Sequence, residues 1–163
     1  MEYFLELSSS GLVRGSIYAL IALGYTMVYG IIQLINFAHG EIYMIGAFVA
    51  LIVSGVLTIY GFSGVSILIL AALIAAIYAA AYGYTLEKIA YRPLRNAPRL
   101  SPLISAIGMS LFLQNYVLLA QTPDFLPFPA LIPDFDFMEP IAHIMGSPEL
   151  VILVTSAVSM VAL

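Results

Sequence analysis

The sequence contains no cysteine and no tryptophan, few charged residues, and no proline before position 93. Each gap excludes something. Without cysteine there is no disulfide framework, thiol nucleophile or thiolate metal site. Only 9% of the 163 residues are charged, against about 25% in a soluble domain. Five Lys and Arg stand against nine Asp and Glu, for a net charge of −4. That balance gives no basic footprint for nucleic acid, so no nucleic-acid partner is expected. Disorder is excluded from the other side, because 63% of the residues are hydrophobic and the mean hydropathy is +1.07. A chain this apolar belongs in a lipid bilayer.

The charges that are present divide the chain. A helix needs about 20 predominantly apolar residues to cross a hydrocarbon core of about 30 Å. Residues 15–38 and 42–86 carry no formal charge, and the second run is long enough for two crossings. It is interrupted at 60–64 by Gly61, Ser63 and Gly64, a turn signal. A further uncharged run at 100–123 narrows to a helix over about 103–121. A last apolar stretch, 150–163, would cover about 21 Å at the helical rise and falls short of the core. The fold class is therefore all-α: a polytopic transmembrane helix bundle of four full spans plus a truncated fifth. Residues 1–163 are expected to form one transmembrane domain, incomplete at its carboxyl end, with a short interfacial or re-entrant end as the alternative. The amino end has no positive region ahead of a short apolar stretch, so no cleaved signal is expected and the first helix stays.

Lys88, Arg92, Arg95 and Arg99 cluster in the connection 87–102, whereas residues 124–149 hold five acids and no Lys or Arg. Short loops rich in Lys and Arg stay in the cytoplasm. This predicts a cytoplasmic loop at 87–102, a periplasmic loop at 122–148, an outer tip at 60–64 and an inner turn at His39-Gly40-Glu41. Arg14 opposes the resulting direction of the first span. All nine prolines fall within or beside the two long connections. The outer one, with Phe125, Phe128, Phe135 and Phe137 among its prolines, reads either as a docking surface for a soluble partner or as a lid on its own helices.

Ala71, Ala75, Ala79 and Gly83 recur every fourth residue of the third span. Small residues at this spacing let helix backbones approach where lipid offers no hydrophobic drive to association. Tyr60, Phe62, Tyr84 and Tyr91 suit interfacial belts. Tyr18, Tyr25, Tyr29 and Tyr78 fall near mid-span and are expected to face helix neighbours or a wet path.

No GxSxG, HExxH or Walker-type sequence is present, and His39 and His143 fall on opposite sides of the expected membrane. Neither an enzyme site nor a metal site is expected. Polar groups in costly places stand out instead: Gln33, Asn36, His39 and Glu41 around the end of the first span, and Gln114 and Asn115 in the fourth. Gln33, Asn36 and Gly40 share one face if the helix runs that far. That face would then line a translocation path or a gating segment. Otherwise Asn36, His39 and Gly40 end one helix and Glu41 begins the next, where an acid suits the dipole. Gln114 and Asn115 point about 100° apart, so one of them is expected to join helices.

The stretch 15–30 (GSIYALIALGYTMVYG), running into Ile35-Asn36-Phe37-Ala38-His39-Gly40-Glu41 and 43–47 (YMIGA), resembles LivH-type permeases, the membrane subunits of bacterial ABC importers for branched-chain amino acids. Residues 90–95 (AYRPLR) and 103–115 (LISAIGMSLFLQN) match as well, and the likeness covers most of 11–119. The block Asn36 to Glu41 is highly specific to that family. The resemblance implies a non-enzymatic, multi-pass subunit of the bacterial inner membrane. Its partners would be a second permease subunit, a periplasmic amino-acid-binding protein and two cytoplasmic ATPases that hold ATP and magnesium. This chain itself would carry no cofactor. The resemblance also favours a functional role for Asn36, His39, Gly40 and Glu41. The later cytoplasmic loop by which such permeases dock on the ATPase has no counterpart in residues 1–163. A secondary transporter or a channel for a small solute is the alternative.

Overall fold

The structure is a computed structural model that describes residues 2–33, 35–98, 100–121, 124, 126–129, 131 and 146–162. Among these residues all regular structure is helical: α1 (Glu2–Ile32), α2 (His39–Ile59), α3 (Val65–Leu86), α4 (Leu100–Ala120) and α5 (Ser147–Ala162). The first four are long and apolar enough to cross a membrane, and α5 is shorter. The chain divides into two units, residues 1–27 with 132–163 and residues 28–131.

In the first unit the buried side chains include Ser9 and Val13 of α1 and Ser147 and Ser156 of α5. The hydroxyls of Ser9 and Ser156 donate to the carbonyls of Glu6 and Leu153 at 2.9 Å, so these groups are satisfied within their own helices. The amino end of α5 is closed by Glu149, whose Oε2 accepts the Gly146 N–H at 3.2 Å. Pro148 follows in the first turn, where a missing N–H costs no helical hydrogen bond.

The second unit holds α2, α3 and α4. The turn between α2 and α3 falls at 60–64 as the sequence predicts, and glycine is required there. Gly61 has φ +83, its N–H bonds Thr58 O at 3.1 Å, and the Phe62 N–H bonds Leu57 O at 3.1 Å. This paired closure of a helix end needs a left-handed residue at its centre. Gly64, at φ +61, then starts α3. The small-residue stripe of α3 faces α2. Ala71 and Ala75 are buried, a Cβ at Gly46 would sit 3.7 Å from the Cβ of Ala79, and one at Gly83 would sit 3.8 Å from Ile42 Cδ1.

Three boundaries differ from expectation. Helix α1 begins near the chain start and includes Glu6 and Arg14, because Glu and Arg are good helix formers and a charge limits the apolar span without ending the helix. It ends at Ile32, six residues before the uncharged run does, so Gln33, Asn36 and Gly40 do not share a helical face. His39, Gly40 and Glu41 form the first turn of α2, and the connection itself is 33–38. Finally, much of the expected 87–102 loop is helical. A wider π-type turn over Glu87–Tyr91 and a tight 3-10 turn over Arg92–Leu94 continue directly from α3. Pro93 has no N–H to give, so a regular helix cannot run through it. Lys88 and Arg92 thus lie on helical turns and Arg95 on the short turn beyond. Arg99 and most of the 122–148 connection, including Phe125, Phe135, Phe137 and His143, lie outside the described residues.

Candidate functional site

The site begins where α1 stops. Gln33 takes the left-handed conformation at φ +55, and its N–H bonds Tyr29 O at 2.8 Å. Glycine or asparagine is the usual residue for such a stop. Three residues on, Asn36 folds over its own backbone. Its Oδ1 accepts the Ala38 N–H at 3.1 Å and its carbonyl accepts the His39 N–H at 3.2 Å. A short amide side chain suits a turn of this kind, because it reaches the backbone two residues later. The turn aims the chain into α2 and sets Glu41 in the first helical turn, where the dipole favours an acid.

Two long-range hydrogen bonds hold this turn in place. The Tyr91 hydroxyl donates to Asn36 Oδ1 at 2.6 Å, across 55 residues of sequence. The Ser110 hydroxyl donates to Glu41 Oε1 at 3.0 Å, across 69. A third bond, from Ser105 Oγ to the Ala90 carbonyl at 3.1 Å, ties α4 to the π-type turn. Between them Ala38, Ala90 and Ala106 are buried, with Ala38 at 0% exposure. Tyr91 is 6% exposed, which removes it from the interfacial belt predicted for it. Tyr84 stays exposed, with Lys88 Nζ 5.9 Å from its ring centre.

The structure therefore joins Asn36 and Glu41 to Tyr91 and Ser110, two partners the sequence did not single out for this role. His39 is half-buried beside them. Gly40 is exposed, and a Cβ there would meet nothing within 4 Å among the described residues, so packing among them does not require a glycine. Gln114 is exposed one turn beyond Ser110. Asn115 is also exposed, and its Nδ2 donates to Leu111 O of its own helix at 2.8 Å.

Nearer the α2–α3 turn, a cavity of about 340 Å³ opens among α2, α3 and α4. Its walls include Ile45, Val49, Ile74 and Val117, with Tyr78, Tyr82 and Tyr116 adding hydroxyls. The Tyr78 and Tyr82 rings lie 6.1 Å apart, and Tyr116 borders the cavity from α4. Volume and lining are those of a small amphipathic ligand's site. Of the mid-span tyrosines, Tyr78 borders the cavity while remaining exposed, and Tyr18 and Tyr29 of α1 are exposed as well. Among the described residues no group of three or more His, Asp or Glu is arranged to hold a metal ion.

The family described as "Branched-chain amino acid transport system / permease component" matches this sequence over residues 7–162. The chain belongs to that family. The permease is 46% identical over 130 residues to the high-affinity branched-chain amino acid transport system permease protein LivH of Salmonella typhimurium, covering 79% of this chain and 42% of the relative. It is 45% identical to LivH of Escherichia coli K12 with the same coverage. It is 47% identical over 132 residues to BraD of Pseudomonas aeruginosa, covering 80% of this chain and 43% of that one. The chain thus spans less than half the length of these curated relatives. No solved structure matches it significantly.

Proposed function

We propose that this permease chain forms part of the translocation path of an ATP-driven importer for branched-chain amino acids in a bacterial inner membrane. The observation that carries the proposal is the Asn36–Glu41 block, folded at a helix junction and bonded to the π-type turn after α3 and to α4, one buried layer away from a cavity with aliphatic walls and tyrosines. An aliphatic side chain suits such walls, and the hydroxyls offer partners to a polar substrate group. Asn36, His39, Gly40 and Glu41, with Gln33, Gln114 and Asn115 around them, are the residues proposed to line or gate the path. A periplasmic binding protein delivers substrate, a second permease subunit completes the path, and two ATPases hold ATP and magnesium and drive alternating access. The basic α3–α4 connection lies in the cytoplasm and the α2–α3 turn outside, following the Lys and Arg bias.

Reconstitution of the full-length permease with its partners tests this. Labelled leucine is expected to accumulate only with ATP, and uptake that ignores ATP but follows a proton or sodium gradient overturns the proposal. For orientation, the cysteine-free chain allows single replacements Arg95→Cys and Ser63→Cys. An impermeant thiol reagent added outside should label position 63 and spare 95.

A further inference from the structure

We infer that Tyr91 and Ser110 are positioning residues for the Asn36–Glu41 block, and that the hydrogen bonds they make hold the α3–α4 end of this helix unit closed in the resting state. The inference rests on the transport role proposed above. The cavity and the bonds follow one another along the same helix faces. On α2, Glu41 lies one turn before Ile45, a wall of the cavity. On α4, Ser110 lies two turns before Val117, another wall. On α3, Tyr82 borders the cavity, buried Leu86 follows one turn later, and the turn carrying Ala90 and Tyr91 comes after that. The order on all three helices is therefore the same: an open cavity, a buried layer of Ile45, Leu86 and Leu113, then the polar bonds and the buried alanines. A solute in the cavity reaches the far end only if that layer and those bonds part.

Chemistry favours these bonds as the movable element. At this end the buried side chains include the small Ala38, Ala90 and Ala106, so the hydroxyl contacts are the directed part of what holds it together. A phenol to an amide oxygen and a serine to a carboxylate break and re-form without covalent change. One such bond between membrane helices is weak enough to open during a transport cycle and strong enough to bias the resting population about three- to tenfold. The wide π-type turn presenting Tyr91 is a form of helix often found at functional sites.

Thiol labelling in the full-length permease assembled with its partners provides the test, with Ala38→Cys reporting opening and Ser54→Cys, equally buried on α2 but remote from the bonds, reporting general loosening. Where Ala38→Cys does not accumulate, Ala106→Cys replaces it. Tyr91→Phe and Ser110→Ala should each raise the labelling rate at position 38 about three- to tenfold and leave position 54 unchanged. Ser110→Thr, which keeps the hydroxyl, should restore the slow rate. Unchanged labelling at 38, or an equal rise at both positions, overturns the inference. Loss of ATP dependence in the uptake assay would overturn the transport role while leaving the labelling result intact, so the two failures are distinguishable.

Discussion

The seam between α2 and α3 and the junction between α1 and α2 solve the same problem by different means. At the seam, Ala71, Ala75, Ala79 and Gly83 meet α2 through close packing, with Gly46 admitting the Cβ of Ala79. At the junction, Asn36 and Glu41 meet the π-type turn after α3, and α4 itself, through directed hydrogen bonds at 2.6 and 3.0 Å. Packing depends on shape along a whole helix and fails when a single side chain grows. Hydrogen bonds depend on individual atoms and fail when one donor or acceptor is removed. The seam is therefore suited to permanence, and the junction to movement.

The largest expected effect comes from breaking the seam. Ala75→Phe places a ring where 8% of an alanine is exposed and should cost about 3 kcal/mol through overpacking, seen as a lower thermal unfolding midpoint in detergent. At the junction, Asn36→Ala removes the acceptor shared by Tyr91 and the Ala38 N–H and should cost about 2 kcal/mol in the same assay. Asn36→Asp keeps that acceptor and should recover most of the loss. Removing only the Glu41 contact with Ser110→Ala should cost about 1 kcal/mol. Gln33→Gly should act in the opposite direction, stabilising by up to about 1 kcal/mol by relieving the left-handed strain at φ +55. The smallest change is expected from Asn115→Ala, within about 0.5 kcal/mol, because its side chain is exposed and bonds only back to its own helix in the described contacts. If Ala75→Phe proves milder than Asn36→Ala, the contrast between a rigid seam and a movable junction is wrong.

How legible each region was follows from the physics that shapes it. The helix count, the Gly61–Gly64 turn and the stripe on α3 depend on hydropathy, on glycine at positive φ and on residue size, which are local properties of sequence. The true ends of α1 were hidden because Glu6 and Arg14 suit a helix as well as they limit an apolar run, and because Gln33 carries none of the glycine signal that usually marks a left-handed stop. Asn36 and Glu41 were visible as polar groups in costly places, but their partners were not. Tyr91 looked like an interfacial tyrosine until its ring was found buried. Ser110 is one hydroxyl in an apolar helix, and nothing within α4 indicates that it reaches Glu41.

By itself the sequence determined that this protein is a bundle of apolar helices, how many of them can cross a bilayer, and, through the Asn36–Glu41 block, which permease family it resembles. Those features are carried by composition and by neighbours along the chain. Only the tertiary structure decided that α1 stops at Ile32, that α3 widens before Pro93, and that Tyr91 and Ser110 hold the block across 55 and 69 residues. A hydrogen bond between distant segments needs both ends in place at once. Their meeting is set by how three helices pack, and no single stretch of the chain records it.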